Sequence, residues 1–127
     1  MSKFILIAQS VGDVIDKLTI LEIKNEKIKD TKKLFFIKRE ISYLRRILTE
    51  NNVNLETDII SELLATNSEI WETEQKLRDK SISKVQYIEA AQNNARLNDK
   101  RFTLKQKLNK KYECDFQEQK SYQHIKS

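Results

Sequence analysis

Glycine and proline are almost missing from this chain, which has one glycine among its 127 residues and no proline. β-Sandwiches and β-barrels need glycine- and proline-rich turns between many short strands. Dinucleotide-binding folds and P-loops need several glycines at fixed offsets, whereas this chain offers only Gly12. The shortage therefore argues against these fold classes and favours a helical protein.

Histidine, cysteine and long apolar runs are equally scarce. The single histidine, His124, argues against a Ser-His-Asp triad and excludes a histidine-rich metal site. Cys114 alone cannot form an internal disulfide, which fits a reducing compartment, and we expect neither residue to act chemically. The longest apolar run, residues 4–8, is far shorter than the roughly 20 residues that span a bilayer. We therefore expect a cytoplasmic protein with no membrane segment, no bound metal and no cofactor.

Charge is abundant, and it is distributed in blocks. The formal net charge is +5, but an acidic block at residues 50–79 lies between basic blocks at residues 24–46 and 100–111. Such blocks can neutralise one another within one bundle, so nucleic acid is not the expected partner. The aromatic residues that could stack on bases are Phe35, Phe36 and Tyr43. We expect these rings to pack in the core or between helices instead.

Apolar residues recur with a helical period along nearly the whole chain. We expect four helices, over residues 11–29, 31–50, 56–79 and 84–112. Ser10 with Asp13, and Ser83 with Gln86, have the spacing of capping boxes, and Asp30 is a further cap candidate. The pattern predicts an all-α fold, a bundle of helical hairpins in a single domain over residues 1–127.

The two ends of the chain lack this period. Residues 3–9 suit a short extended segment that covers an edge of the bundle. The tail, residues 113–127, is expected to fold back onto the helices and to close one end of a cleft.

Several polar residues fall on stripes that are otherwise apolar, since a helical residue advances about 100° around the axis. In the third helix the stripe is Ile60, Leu64, Asn67, Trp71, Glu74 and Arg78. The fourth helix has two apolar stripes, one with Ile88, Ala91, Ala95 and Phe102 and another with Leu97, Leu104 and Leu108. The flank between them holds Tyr87, Asn94, Asn98, Arg101, Lys105, Asn109 and Tyr112. This flank could line a ligand-binding cleft or form a solvent-filled groove between helices.

Two carboxylates leave similar alternatives open. Asp16 lies one turn before a second apolar stripe of the first helix, where it must be paired or close to water. It could also be an ordinary first-turn acid that complements the helix dipole. Glu74 and Arg78 are four residues apart and could simply be an ion pair at a helix end.

The order of four short motifs resembles an uncharacterised family of short bacterial and bacteriophage proteins, a domain-of-unknown-function family. Residues 11–24 look like its opening GELIDKITILEIK motif, and residues 67–78 resemble N-x-x-LW-x-IED-x-IR. Residues 98–109 resemble ND-x-RA-x-IK-x-x-IN, and residues 118–122 resemble the closing EEKSY. The resemblance implies a small helical protein and an association with surface-glycan genes. The departures from the family pattern are Asp13 for Glu, Gln75 for Asp and Phe102 for Ala.

These observations suggest a polar cleft that binds an anionic small ligand, such as a sugar phosphate or a nucleotide sugar. The candidate ligand-binding residues are Lys17, Asn67, Trp71, Arg78, Asn98, Arg101, Lys105, Asn109, Lys120 and Tyr122. Arginine suits anions because its planar fork binds bidentately. Asp16 and Glu74 would accept hydroxyl protons, or serve as acid and base if the protein is an enzyme.

Two other classes of function stay open. The same polar residues could form buried networks in a helical interaction or adaptor module, without catalysis, that binds a protein partner or a second copy. Glu69-x-x-Glu72 and Glu89-x-x-Gln92 superficially resemble the boxes of metal-dependent nucleotide pyrophosphatases of the MazG type. The last acid of that pattern is missing, and the first pair is expected to face water, which argues against a shared metal site.

Overall fold

Four α-helices make up the bundle in the computed structural model, which describes residues 3–114. They are α1 (Val11–Lys27), α2 (Thr31–Glu50), α3 (Asp58–Arg78) and α4 (Lys84–Lys111). The described residues contain no strand, which confirms the all-α prediction. None of these helices is both long and apolar enough to cross a membrane. The predicted tail lies outside the described residues from position 115 onward.

The helix starts follow the predicted caps. Ser10 Oγ accepts a hydrogen bond from the backbone of Asp13, and Asp30 Oδ1 accepts two from the first turn of α2. Ser83 and Gln86 form a complete capping box at the start of α4. Cap bonds are local, so sequence spacing is enough to predict them. The helix ends also lie within two residues of those predicted.

Helix α1 is the centre of the bundle. It contacts each of the other three helices, α3 and α4 also pack against each other, and α2 packs against α1 alone among the described helices. The core between them is apolar, with its most deeply buried side chains at Ile15, Leu63 and Leu108. No other described helix covers the side of α2 that faces away from α1.

The extended segment before α1 does not cover an edge of the bundle, so that prediction is wrong. The side chains of residues 4–7 are 70–87% exposed. Hydrogen bonds to the end of α4 are made instead by the first residues of α1. The Val11 N–H donates to Cys114 Sγ at 3.4 Å, and the Gly12 N–H donates to Asn109 Oδ1 at 2.6 Å.

The buried faces of α3 and α4 differ from the predicted stripes by a rotation about each helix axis. The buried side of α3 contains Leu63, Thr66, Asn67, Ile70 and Thr73, whereas Ile60, Leu64 and Trp71 are half-buried. In α4 the predicted stripe of Ile88, Ala91 and Ala95 is exposed, although Phe102 is buried. The stripe with Leu97, Leu104 and Leu108 is buried as predicted. α4 turns its polar flank towards α1, and this rotation leaves the other apolar stripe outside.

Candidate functional site

Asp16 is a buried carboxylate at the centre of the bundle, with a side chain that is 7% exposed. Its Oδ1 accepts hydrogen bonds from Arg101 Nε and from Asn67 Nδ2, each at 2.9 Å. Its Oδ2 accepts a hydrogen bond from Arg101 Nη2. A buried charge is costly unless it is paired and hydrogen-bonded, and the bidentate arginine meets both conditions.

Asn67 extends this pair to a third helix. Its Nδ2 also donates to Thr19 Oγ1 at 2.8 Å, and Thr19 Oγ1 donates to the backbone oxygen of Asp16 at 2.7 Å. We call Asp16, Thr19, Asn67 and Arg101 the three-helix network, because they join α1, α3 and α4. The structure thus brings together three of the predicted site residues, Asp16, Asn67 and Arg101.

One turn further along α4, the same face makes two more polar contacts with α1. Lys105 Nζ lies 3.0 Å from Asp13 Oδ1, and the Lys105 side chain is only 9% exposed. Asn109, 1% exposed, accepts the hydrogen bond from Gly12. Arg101, Lys105 and Asn109 are spaced four residues apart, so they share one face of α4, and they contact the first two turns of α1.

Gly12 is required at this crossing. A Cβ atom there would lie 2.6 Å from the Lys105 backbone oxygen and 2.7 Å from Asn109 Oδ1. Real Cβ atoms do not approach that closely, so the chain places its single glycine where two helix backbones come nearest.

The other predicted site residues lie apart from the three-helix network. Lys17 points towards α2, where its Nζ is 2.8 Å from Glu40. Trp71 and Glu74 are half-buried, and Arg78 is exposed at the end of α3, about 16 Å along the axis from Asn67. Asn98 donates to the Asn94 oxygen of its own helix. Lys120 and Tyr122 lie outside the described residues.

The charged side chains where α1 and α4 meet lie beside side chains of opposite charge. Asp16 is held by donors from two helices, and Lys105 lies beside Asp13. Among residues 3–114, no group of three or more histidine, cysteine, aspartate or glutamate residues is arranged to hold a metal ion. Arg101, Lys105 and Asn109 connect α4 to α1.

A second polar surface lies on the side of α2 that no other described helix covers, where the sequence had predicted packed rings instead. A shallow groove there is lined by Phe35, Lys38, Arg39, Ser42, Tyr43 and Arg46. We call these six residues the basic–aromatic face. Phe35 is 58% exposed and Tyr43 is 47% exposed, so the prediction that these rings are packed was wrong, as it was for the 56% exposed Phe36.

Cations and rings are paired along this face. The Arg39 guanidinium lies 5.6 Å from the centre of the Phe35 ring, and the Arg46 guanidinium lies 5.6 Å from the centre of the Tyr43 ring. These are cation–π distances. Phe36, which does not line the groove, meets Phe35 edge-on with ring centres 5.5 Å apart.

Acidic groups on α2 are largely engaged elsewhere. Glu40 pairs with Lys17 of α1, on the side away from the groove. The Glu50 carboxylate is 4.0 Å from Arg46 Nε, at the outer limit of an ion pair. No carboxylate of residues 3–114 lines the groove itself, so within this range the basic–aromatic face carries three cations and no anion.

A signal for this face was present in the sequence. The inward residues of α2 include Leu44 and Leu48, both buried, with Ile37 and Ile41 packed beside them. Residues on the opposite side of that stripe must face away from α1. The pattern did not show that neither α3 nor α4 covers them.

Comparison of the chain with protein-family models, with curated proteins and with solved structures gave no match. The motif resemblance and the surface-glycan association that it implies therefore stay predictions.

Proposed function

We propose that this protein binds a polyanionic partner along the basic–aromatic face of α2. The observation that carries the proposal is the composition of that face: three cations and two exposed rings on one side of one helix, with no carboxylate from the described part of the chain. Concentrated charge of one sign raises the local concentration of an oppositely charged ligand and accelerates its encounter.

The charge of α2 as a whole supports the same partner. The helix has six basic residues and two acidic ones, out of a chain with a net charge of +5. Of those six, Arg45 is engaged by Glu22 of α1. The cations of the basic–aromatic face project from a helix that packs against α1 alone among the described helices.

The contacts of α4 make its polar flank a weaker candidate for the anion site. A ligand at Arg101 would have to displace the Asp16 carboxylate, and a ligand at Lys105 would compete with Asp13. Removing one member of a buried ion pair leaves the other uncompensated, at a large cost. We therefore place the anionic partner at α2, and a polyanion replaces the small ligand that the sequence predicted for a polar cleft.

Retention on a heparin column under a salt gradient tests the proposal. The variant with Arg39→Glu and Arg46→Glu should elute at much lower salt than the wild type. The control variant, with Lys100→Glu and Lys107→Glu at exposed positions of α4, undergoes the same change in net charge. It should stay close to the wild type. If both variants elute alike, only the overall charge matters and the proposal is wrong.

A further inference from the structure

We propose that the polyanion is a single-stranded nucleic acid, whose bases stack on Phe35 and Tyr43 while its phosphates contact the neighbouring cations. This inference rests on the function proposed above and adds the class of partner. Proteins that bind single strands without sequence preference combine a positively charged groove with aromatic stacking platforms. The basic–aromatic face has both components.

The exposed rings distinguish this face from a merely basic surface. Phe35 and Tyr43 are about half exposed and line the same groove. A partner that needed only charge, such as an acidic peptide, would have no use for rings in the groove. Every base has a π face, so a ring can stack on it whatever the sequence.

The spacing also fits a nucleic acid strand. Phe35 and Tyr43 are eight residues apart, which is about 12 Å along the helix axis. At about 3.4 Å per nucleotide of a stacked strand, this distance corresponds to three or four nucleotides. A guanidinium lies over one face of each ring, Arg39 over Phe35 and Arg46 over Tyr43, each 5.6 Å from the ring centre. A base would therefore stack on the opposite face of the ring while the guanidinium contacts a phosphate.

A single strand fits better than a duplex. In a duplex the base faces are stacked on one another, and a protein reaches only the base edges in the grooves. The rings of this face could not stack on bases without opening the duplex. Single-stranded segments leave base faces accessible to aromatic side chains.

Fluorescence anisotropy tests the inference with three labelled probes: oligothymidylate, oligouridylate and a duplex. Each probe is about 20 nucleotides long, which exceeds the length that a typical single-strand site contacts. The wild-type chain should bind the single strands at least tenfold more tightly than the duplex. The Phe35→Leu and Tyr43→Leu double variant keeps every charge and should lose tenfold or more in affinity for the single strands. Tyr87→Leu, at a 51% exposed aromatic position of α4, is the matched control and should have no effect.

The outcomes separate this inference from the function on which it rests. If the charge reversal on α2 abolishes heparin retention but the duplex binds as tightly as the single strands, the partner is a different polyanion and this inference is wrong. Equal affinity of the leucine variant and the wild type would also overturn it. If light scattering shows that the leucine substitutions turn an oligomer into a monomer without changing oligonucleotide binding, the rings serve self-association and the inference fails.

Discussion

Asp16 and Arg101, which are 85 residues apart in the sequence, form a bidentate ion pair that joins α1 to α4. The aspartate is almost fully buried, and the Arg101 side chain is 30% exposed. Asn67 of α3 binds the same carboxylate. Asp16, Arg101 and Asn67 together therefore connect three of the four helices at one point.

The first prediction concerns this pair. Arg101→Met should lower the free energy of unfolding by about 3 kcal/mol, because it leaves a buried carboxylate without its cation. Urea unfolding followed by circular dichroism measures the change. Lys17→Met is the control, since Lys17 forms an exposed pair with Glu40 and its loss should cost less than about 1 kcal/mol. Equal losses in the two variants would show that the buried pair is no more important than a surface one.

The second prediction concerns the close approach of α1 and α4. Gly12→Ala should destabilise the protein by about 1–3 kcal/mol, because the new methyl group would meet the Lys105 backbone oxygen. Thermal unfolding should show a clearly lower Tm, while Glu26→Ala at an exposed position of α1 should change stability by no more than about 0.5 kcal/mol. Alanine has the higher helix propensity. A stabilised Gly12→Ala variant would therefore mean that the two backbones are farther apart.

The third prediction compares two helix caps. Ser83→Ala should cost about 1 kcal/mol, because it removes the side-chain acceptor of a complete capping box. Thr57 precedes α3 without making a cap hydrogen bond, and its buried Oγ1 has no partner among residues 3–114. Thr57→Ala should therefore be neutral or stabilising. Hydrogen exchange at the first turns of α3 and α4 would locate each effect, and a larger loss at Thr57 than at Ser83 would contradict this account.

The fourth prediction concerns pH. Hydrogen bonds from the Ser81 hydroxyl and the Ser81 backbone N–H to Asp79 Oδ1, at 2.7 and 2.9 Å, lower the pKa of the Asp79 carboxyl. The pKa is lower in the folded state than in the unfolded state. The ionised carboxylate therefore stabilises the folded state at pH values above the ordinary pKa of 3.8. That contribution is lost as the pH falls through the folded-state pKa.

An NMR titration of the Asp79 carboxyl carbon measures this pKa directly. Ser81→Ala removes the hydroxyl hydrogen bond, which is the larger cause of the lowered pKa, and should raise the pKa of Asp79. The control Ser61→Ala in α3 should leave the pKa of Asp79 unchanged. A pKa that Ser81→Ala does not raise would show that the hydroxyl contact is not its cause.

The candidate site was only partly accessible to sequence reasoning. Polar residues on apolar stripes indicated Asp16, Asn67 and Arg101, since buried polar groups must find partners. The stripe pattern did not indicate whether Arg101 pairs with Asp16 or points towards a ligand. That depends on how far α4 is rotated against α1, and the predicted rotation was partly wrong, as the exposed Ile88 shows.

The sequence by itself determined the four helices, their caps and their lengths, because hydrogen bonds between residues three or four apart decide these features. The shortage of glycine and proline argued against folds that need many tight turns. Only the tertiary structure decided which helix faces meet. It placed Gly12 against the backbone of α4, and it left Phe35 and Tyr43 exposed on the side of α2 that faces away from α1. Packing between distant segments depends on the shapes of all the faces together, and no local pattern contains that information.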